Sequence, residues 1–126
     1  MKHLIIIGAG GMGRTMYDMA RESIGYSTEY DILGFIDDNT SALDNFDNYP
    51  PLLAPIHSYQ PKEDEVFVCS IGGAARQQCM EAILNKGGQF LTMIHATARI
   101  GTNVQIGEGT IIGAYTTIGA DAKIGQ

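Results

Sequence analysis

The chain has 126 residues, 44% of them hydrophobic and 17% charged, with a formal charge of −6 and a pI near 4.8. That leaves room for one modest domain plus a small appendage, and the composition is too apolar for a disordered chain. The acidic balance and the lack of any Lys/Arg cluster exclude nucleic acid or an anionic membrane as the main partner, although backbone amides still offer local positive potential to a small anion.

The first predicted element is Leu4-Ile5-Ile6-Ile7, a continuous apolar run closed by Gly8. It suits a strand covered on both faces, as in a parallel sheet. Four apolar residues are too few for a signal peptide or a membrane helix, so no membrane insertion is expected and the cytoplasm is the expected compartment. Met12, Met16, Met19, Ala20 and Ile24 then recur at helical spacing. Asp31 to Ile36 reads as a second strand, ending at Asp37-Asp38. Residues 39–63, with Pro50, Pro51 and Pro55, read mostly as loop. Val66 to Ile71 is a third strand, in which Cys69 serves as a small core hydrophobe. Cys69 and Cys79 show no CxxC spacing and join no His/Cys cluster, so neither a metal site nor a disulfide framework is expected. Ala75, Cys79, Ala82 and Ile83 mark a second helix, stopped by Gly87-Gly88, and Phe90 to Ile94 is a fourth strand. The alternation predicts an α/β fold with a small, Rossmann-like parallel sheet over residues 1–93.

From residue 94 the pattern changes. Ile100-Gly101, Ile106-Gly107, Ile112-Gly113, Ile118-Gly119 and Ile124-Gly125 lie six apart without a slip, and Ile94 extends the register backward. Ala98, Val104, Thr110, Thr116 and Ala122, small or β-branched, stand two residues before these isoleucines. Residues 94–126 therefore read as the first coils of a hexapeptide-repeat β-helix, each hexad forming one side of a triangle, with isoleucine inside and the glycine at the tight corner. An ordinary meander of short strands has no reason to keep one apolar identity at a fixed period. These residues make fewer than two coils, so a frayed end near Gln126, or an end covered by another copy, is expected.

Gly8, Gly10 and Gly13 form a G-x-G-x-x-G between a strand and a helix, with Gly11 and Met12 inside it. Glycine lets the backbone approach a phosphate, and the helix start offers free N–H groups. The plain alternative is a tight turn that holds nothing. Asp37 and Asp38 stand where a dinucleotide fold places its ribose carboxylate, or they form a solvated acidic turn. Ile71, Gly72, Gly73 and Arg76 follow the third strand at the sheet edge where ligands gather. Arg76 either faces a phosphate there or is solvated. His3 and His57 show no partner in sequence, and His95, at the entrance to the coils, reads as structural rather than catalytic.

Gly8-Ala9-Gly10-Gly11-Met12-Gly13, Phe35-Ile36-Asp37-Asp38, Ser70-Ile71-Gly72 with Arg76, and Ile94-His95-Ala96-Thr97-Ala98 occur in an order that resembles one family. It is the bacterial sugar acetyltransferases, including sialic acid O-acetyltransferases and the N-acetyltransferases of UDP- and GDP-linked amino sugars. The resemblance implies a left-handed β-helix, a homotrimer when complete, and acetyl-CoA along the seam between coils. It places the acceptor's nucleotide, UDP in type, at Gly8, Gly10, Gly11, Met12, Gly13, Asp37, Asp38, Ile71, Gly72, Gly73 and Arg76. It also implies a histidine general base roughly a dozen residues beyond Gln126, one or two hexads along the repeat, so that the 126 residues carry no catalytic residue and turn over little. Two other readings stay open: a nucleotide- or NAD-binding module whose β-helix only oligomerises it, and an oxidoreductase domain.

Overall fold

The computed structural model describes residues 1–125. Seven elements form the α/β part: β1 (Lys2–Ile7), α1 (Gly11–Arg21), β2 (Tyr30–Ile36), β3 (Leu52–Ala54), β4 (Glu65–Cys69), α2 (Gly73–Leu84) and β5 (Gln89–Phe90). The sheet order is β3-β2-β1-β4-β5, with every neighbouring pair parallel. β1 is the central strand, and its alternating side chains serve two cores. Leu4 and Ile6 join Met16 and Ala20 of α1, Phe35, Val66 and Val68. Ile5 and Ile7 join Cys79 and Ile83 of α2, Ile36, Phe67 and Cys69. With both faces covered, no position in the run has reason to be polar. Cys69 is a core residue as read, and burial pushes its thiol pKa up. Beyond α2, Gly87 at φ +85° turns the chain out, and Gly88 N–H donates to the Ile83 carbonyl at 3.0 Å.

Three local expectations are corrected. The 39–63 segment contains the edge strand β3, whose Leu52 and Ala54 pair with Phe35 and Ile36. An edge strand tolerates flanking prolines because one side needs no ladder donors. β4 ends at Cys69, so Ser70 and Ile71 belong to the loop that follows it. The fourth predicted strand is two strands: Phe90 of β5 pairs with Phe67, whereas β6 (Met93–Ile94) leaves the sheet altogether.

β6 opens the coil. β7 (Arg99–Ile100), β8 (Gln105–Ile106), β9 (Ile111–Ile112), β10 (Thr117–Ile118) and β11 (Lys123–Ile124) follow at six-residue intervals. β6 pairs with β9, β7 with β10 and β8 with β11, all parallel, so Ile94 meets Ile112, Ile100 meets Ile118 and Ile106 meets Ile124. Each partner lies 18 residues on, three hexads per turn, which is the arithmetic of a three-sided parallel β-helix. Each face holds two rungs among the described residues. Gln126, near which the sequence predicts a frayed or covered end, lies outside the described residues.

The corner chemistry differs from expectation. Left-handed backbone occurs three residues after the isoleucine, at Asn103 (φ 61°), Gly109 (φ 81°), Tyr115 (φ 59°) and Asp121 (φ 65°), rather than at the repeat glycines beside the isoleucines. Asn and Asp tolerate this region, and Asn103 Nδ2 donates to Asp121 Oδ1 at 3.1 Å along that corner. Of the repeat glycines, Gly101 has a crowded site, where a Cβ would meet Ala120 N at 2.6 Å; at Gly113, Gly119 and Gly125 it would meet open space.

Candidate functional site

The carboxyl ends of β1, β2 and β4 bring the glycine loop, Asp37 and Ser70 together. Gly8, at φ +96°, turns the chain as it leaves β1, and its N–H donates to Ile36 O at 2.8 Å. A Cβ on Gly8 would stand 2.5 Å from Ser70 Oγ, and one on Gly13 would stand 1.9 Å from the Gly8 carbonyl oxygen. These two glycines are therefore required by close packing of loop, helix and neighbouring strand. Gly10 differs: it caps α1 with ordinary extended dihedrals, and a Cβ there would touch nothing within 4 Å. No side chain caps α1, and its first turn holds no acidic residue. The N–H groups of Gly11, Met12 and Gly13 thus precede the first intrahelical bond, from Arg14 N–H to Gly10 O, and the positive end of the helix faces outward. Gly10, Gly11 and Met12 are exposed. α2 begins alike, with Gly72 as an uncapped start and Gly73 at φ +67°.

The acidic pair braces this edge. Asp37 Oδ2 accepts from Ala9 N–H at 2.8 Å and its Oδ1 accepts from Asn39 N–H at 2.9 Å. Asp37 thereby ties the glycine loop to the end of β2, with both oxygens occupied by backbone. Asp38 Oδ1 accepts from Ile56 N–H at 2.9 Å, and Asp38 Oδ2 lies 3.9 Å from His57 Nε2, a partner invisible in sequence. Arg76 has a use that neither sequence reading anticipates: its Nη1 donates to Cys69 O at 2.8 Å and Ile71 O at 3.4 Å, closing the end of β4. Gly73 and Arg76 also open a cleft of about 530 Å³ that runs down α2 past Met80 and Leu84 to Gly109 of the coil.

Two contributors escaped the sequence reading of the site. Ser70 Oγ lies 2.7 Å from Ile7 O and 3.1 Å from Gly8 O, joining β4 to the glycine loop; its place in the Ser70-Ile71-Gly72 motif and a hydroxyl ending an apolar strand were its signals. Arg14 donates to Ala9 O at 3.3 Å and stacks 3.7 Å from the Phe46 ring centroid, which brings the segment after β2 over α1. No period marks Phe46. His3 stands at the opposite end of β1, bonded to Asp31, and His95 is buried where coil and α1 meet. Among the described residues no cluster of three or more His, Cys, Asp or Glu fits a metal ion, and no helix is long and apolar enough to cross a membrane.

Residues 3–83 match the family described as the PglD N-terminal domain. The chain belongs to that family. The PglD-type segment contains the glycine loop, Asp37-Asp38 and the Ser70–Arg76 turn, and residues 92–126 match the bacterial transferase hexapeptide repeats. Comparison with curated proteins finds no match. Among solved structures, the acetyltransferase domain of PglB from Neisseria gonorrhoeae FA1090 is similar with a TM-score of 0.74 at 22% identity, covering 99% of this chain and 68% of that one. The same domain in complex with acetyl coenzyme A gives 0.73 at 23% identity, covering 98% and 67%. PerB from Caulobacter crescentus, in complex with CoA and GDP-perosamine, gives 0.79 at 22% identity, covering 100% of this chain and 58% of PerB. These likenesses show the shared fold, a PglD-type sheet leading into a hexapeptide coil, and the chain spans only part of each of those proteins.

Proposed function

We propose that the chain is the acceptor-holding part of an acetyl-CoA-dependent acetyltransferase acting on a nucleotide-linked sugar or amino sugar. The observation that carries this reading is the glycine loop at the carboxyl edge of a parallel sheet, joined through Leu91 and Thr92 to a hexapeptide coil. The sheet part, up to the Leu91-Thr92 link, holds the acceptor nucleotide. Its phosphates face the first-turn amides of α1, and the uncapped start of α2 at Gly72 and Gly73 completes the edge. Residues from Met93 onward begin the coil that presents acetyl-CoA, in a trimer of such coils in the cytoplasm. The acceptor nitrogen or oxygen attacks the thioester carbonyl, a C–N or C–O bond forms, the C–S bond breaks, and the acceptor proton reaches the departing CoA thiolate by way of a general base. The family resemblance assigns that base to a coil histidine beyond Gln126. Support comes from the PglD-type match and from similar folds whose structures hold CoA, acetyl coenzyme A or GDP-perosamine.

Thermal shift against UDP, a UDP-amino sugar, a GDP-amino sugar and NAD tests the reading. At a hundred times Kd a bound ligand adds about 2.7 kcal/mol of stability. A shift with a nucleotide sugar and none with NAD is expected, UDP being the favoured nucleotide. A shift with NAD alone would replace the acetyltransferase reading with that of an NAD-binding module.

A further inference from the structure

His95 is only 6% exposed, one of three buried polar or charged residues among the described residues, and both its ring nitrogens are engaged. Thr97 N–H donates to Nδ1 at 3.1 Å, so Nδ1 is the lone-pair nitrogen and the ring proton sits on Nε2. Nε2 lies 2.8 Å from Glu22 Oε1 and donates to it. On the other side the Thr97 hydroxyl lies 2.8 Å from Nδ1 and accepts from Tyr115 N–H at 2.8 Å. The imidazole therefore has two arms. One grips Glu22, the residue capping the end of α1; the other, through Thr97, holds the next turn of the coil at Tyr115.

The corner at Tyr115 needs holding. Its φ of 59° is the left-handed region, which a bulky residue adopts only at a cost. Its side chain is 84% exposed, so packing contributes little to fixing that corner. The other arm acts at a joint. Ile24 N–H donates to Ile94 O at 2.8 Å and Ala96 N–H donates to Glu22 O at 3.1 Å, on either side of His95. α1 itself is an 11-residue rod, about 16 Å long, whose first residue belongs to the glycine loop. A tilt at the Glu22 end is thus a displacement of the coil relative to the cradle.

We propose that His95 is a two-armed positioning residue: its Nε2 arm fixes the angle between α1 and the coil, and its Nδ1 arm fixes the second turn of the coil through Thr97 and Tyr115. The inference rests on the acceptor-holding reading for its purpose, aiming the coil at a sugar held at the other end of α1, but its test does not need acetyl transfer. The side chains of Gln and Asn divide the two arms. Gln reaches the Nε2 position and keeps a donor for Glu22; Asn reaches the Nδ1 position and keeps an acceptor for Thr97 N–H.

The experiment pairs two readouts on His95→Gln and His95→Asn. The first is the distance distribution, by pulsed electron resonance, between spin labels on the exposed positions Thr15 of α1 and Gln105 of β8, since Cys69 and Cys79 are buried. The second is the exchange rate of the Tyr115 amide by NMR. His95→Gln should leave the distribution narrow and speed Tyr115 exchange about fivefold, the loss of one hydrogen bond. His95→Asn should broaden the distribution and leave Tyr115 protected. If either variant fails to fold, Glu22→Ala and Thr97→Val cut the same arms separately, with the same opposed results expected. Both readouts moving together, or neither moving, would overturn the proposal. UDP titration of the same variants reports separately on the cradle: unchanged affinity with the opposed pattern supports both readings, and a parent protein that binds no nucleotide sugar fails the acceptor reading alone.

Discussion

Gly13→Ala and Gly10→Ala make a matched pair, because both glycines belong to one motif yet differ completely in surroundings. A Cβ at Gly13 would lie 1.9 Å from the Gly8 carbonyl oxygen, 2.7 Å from its carbon and 3.1 Å from Ser70 Oγ. The obstacle is backbone, and Gly8 cannot retreat, since its own Cβ position is filled by Ser70 and Ile71. Overpacking costs about 1–3 kcal/mol where side chains can adjust. Here the upper figure applies, so the melting temperature should fall by roughly 10 °C in a chain of this size. Shifting α1 from the loop also misplaces its first-turn amides, and UDP affinity should drop about tenfold or more, the worth of one charge-assisted hydrogen bond. Gly10, at φ −75° with nothing within 4 Å of a new Cβ, should lose only about 1 kcal/mol or less on substitution by alanine, the difference between Gly and Ala at a helix N-cap. Circular-dichroism melts and UDP calorimetry on the two variants measure both effects. Equal melting temperatures, or an equal loss in Gly10→Ala, would refute the claim that close packing rather than motif membership makes the glycine necessary.

Three other outcomes are expected. Asp37→Asn turns one of two acceptors into a donor against Ala9 or Asn39 N–H; it should cost about 1–3 kcal/mol by denaturant titration and weaken UDP binding with it. Ile112→Ala, at a position 4% exposed, should cost about 2–5 kcal/mol, which a shift in urea midpoint without loss of the α/β signal would register. The bond from His3 to Asp31 holds the imidazole pKa above its ordinary 6.5. The stability it contributes is fully present below pH 6.5 and is lost as pH rises through the higher folded value. His3→Asn should flatten stability across that window, and added salt should shrink the effect, because the pair is open to water.

The coil was the most legible part of the sequence, because one residue type performs one task at one period. Isoleucine every sixth position needs no tertiary context to be read, and the 18-residue pairing follows from three sides. β1 was legible for a related reason, a strand covered on both faces being apolar throughout. Features that depend on distant partners were not. Phe90 to Ile94 is nearly continuous in hydrophobicity, yet Phe90 pairs with Phe67 and Met93 with Ile111; nothing in the apolar pattern marks where the chain changes partner. Leu52 to Ala54 is a strand only because Phe35 and Ile36 have an open side, and Pro51 and Pro55 hid it. At the carboxyl edge of the sheet, spacing marks the glycine loop and Asp37 as neighbours, but the tasks of Asp37 and Arg76 as braces come from backbone groups that no side-chain pattern reveals. The corner glycines were misassigned because Gly beside Ile is the visible regularity, while the strained residue lies two further on and varies among Asn, Gly, Tyr and Asp.

The pairing of Ile94 with Ile112 and Ile100 with Ile118 also governs how such a chain tolerates changes in length. Losing or gaining a single residue within a strand would turn every later isoleucine outward. A whole hexad would keep isoleucine inside but swap which wall carries which side chains, so Thr97 would no longer meet Tyr115. Only a block of 18 restores every wall to its partner, adding a storey without redecorating the others. Indels among relatives should therefore cluster at the bends, where Asn103, Gly109, Tyr115 and Asp121 already leave the ladder.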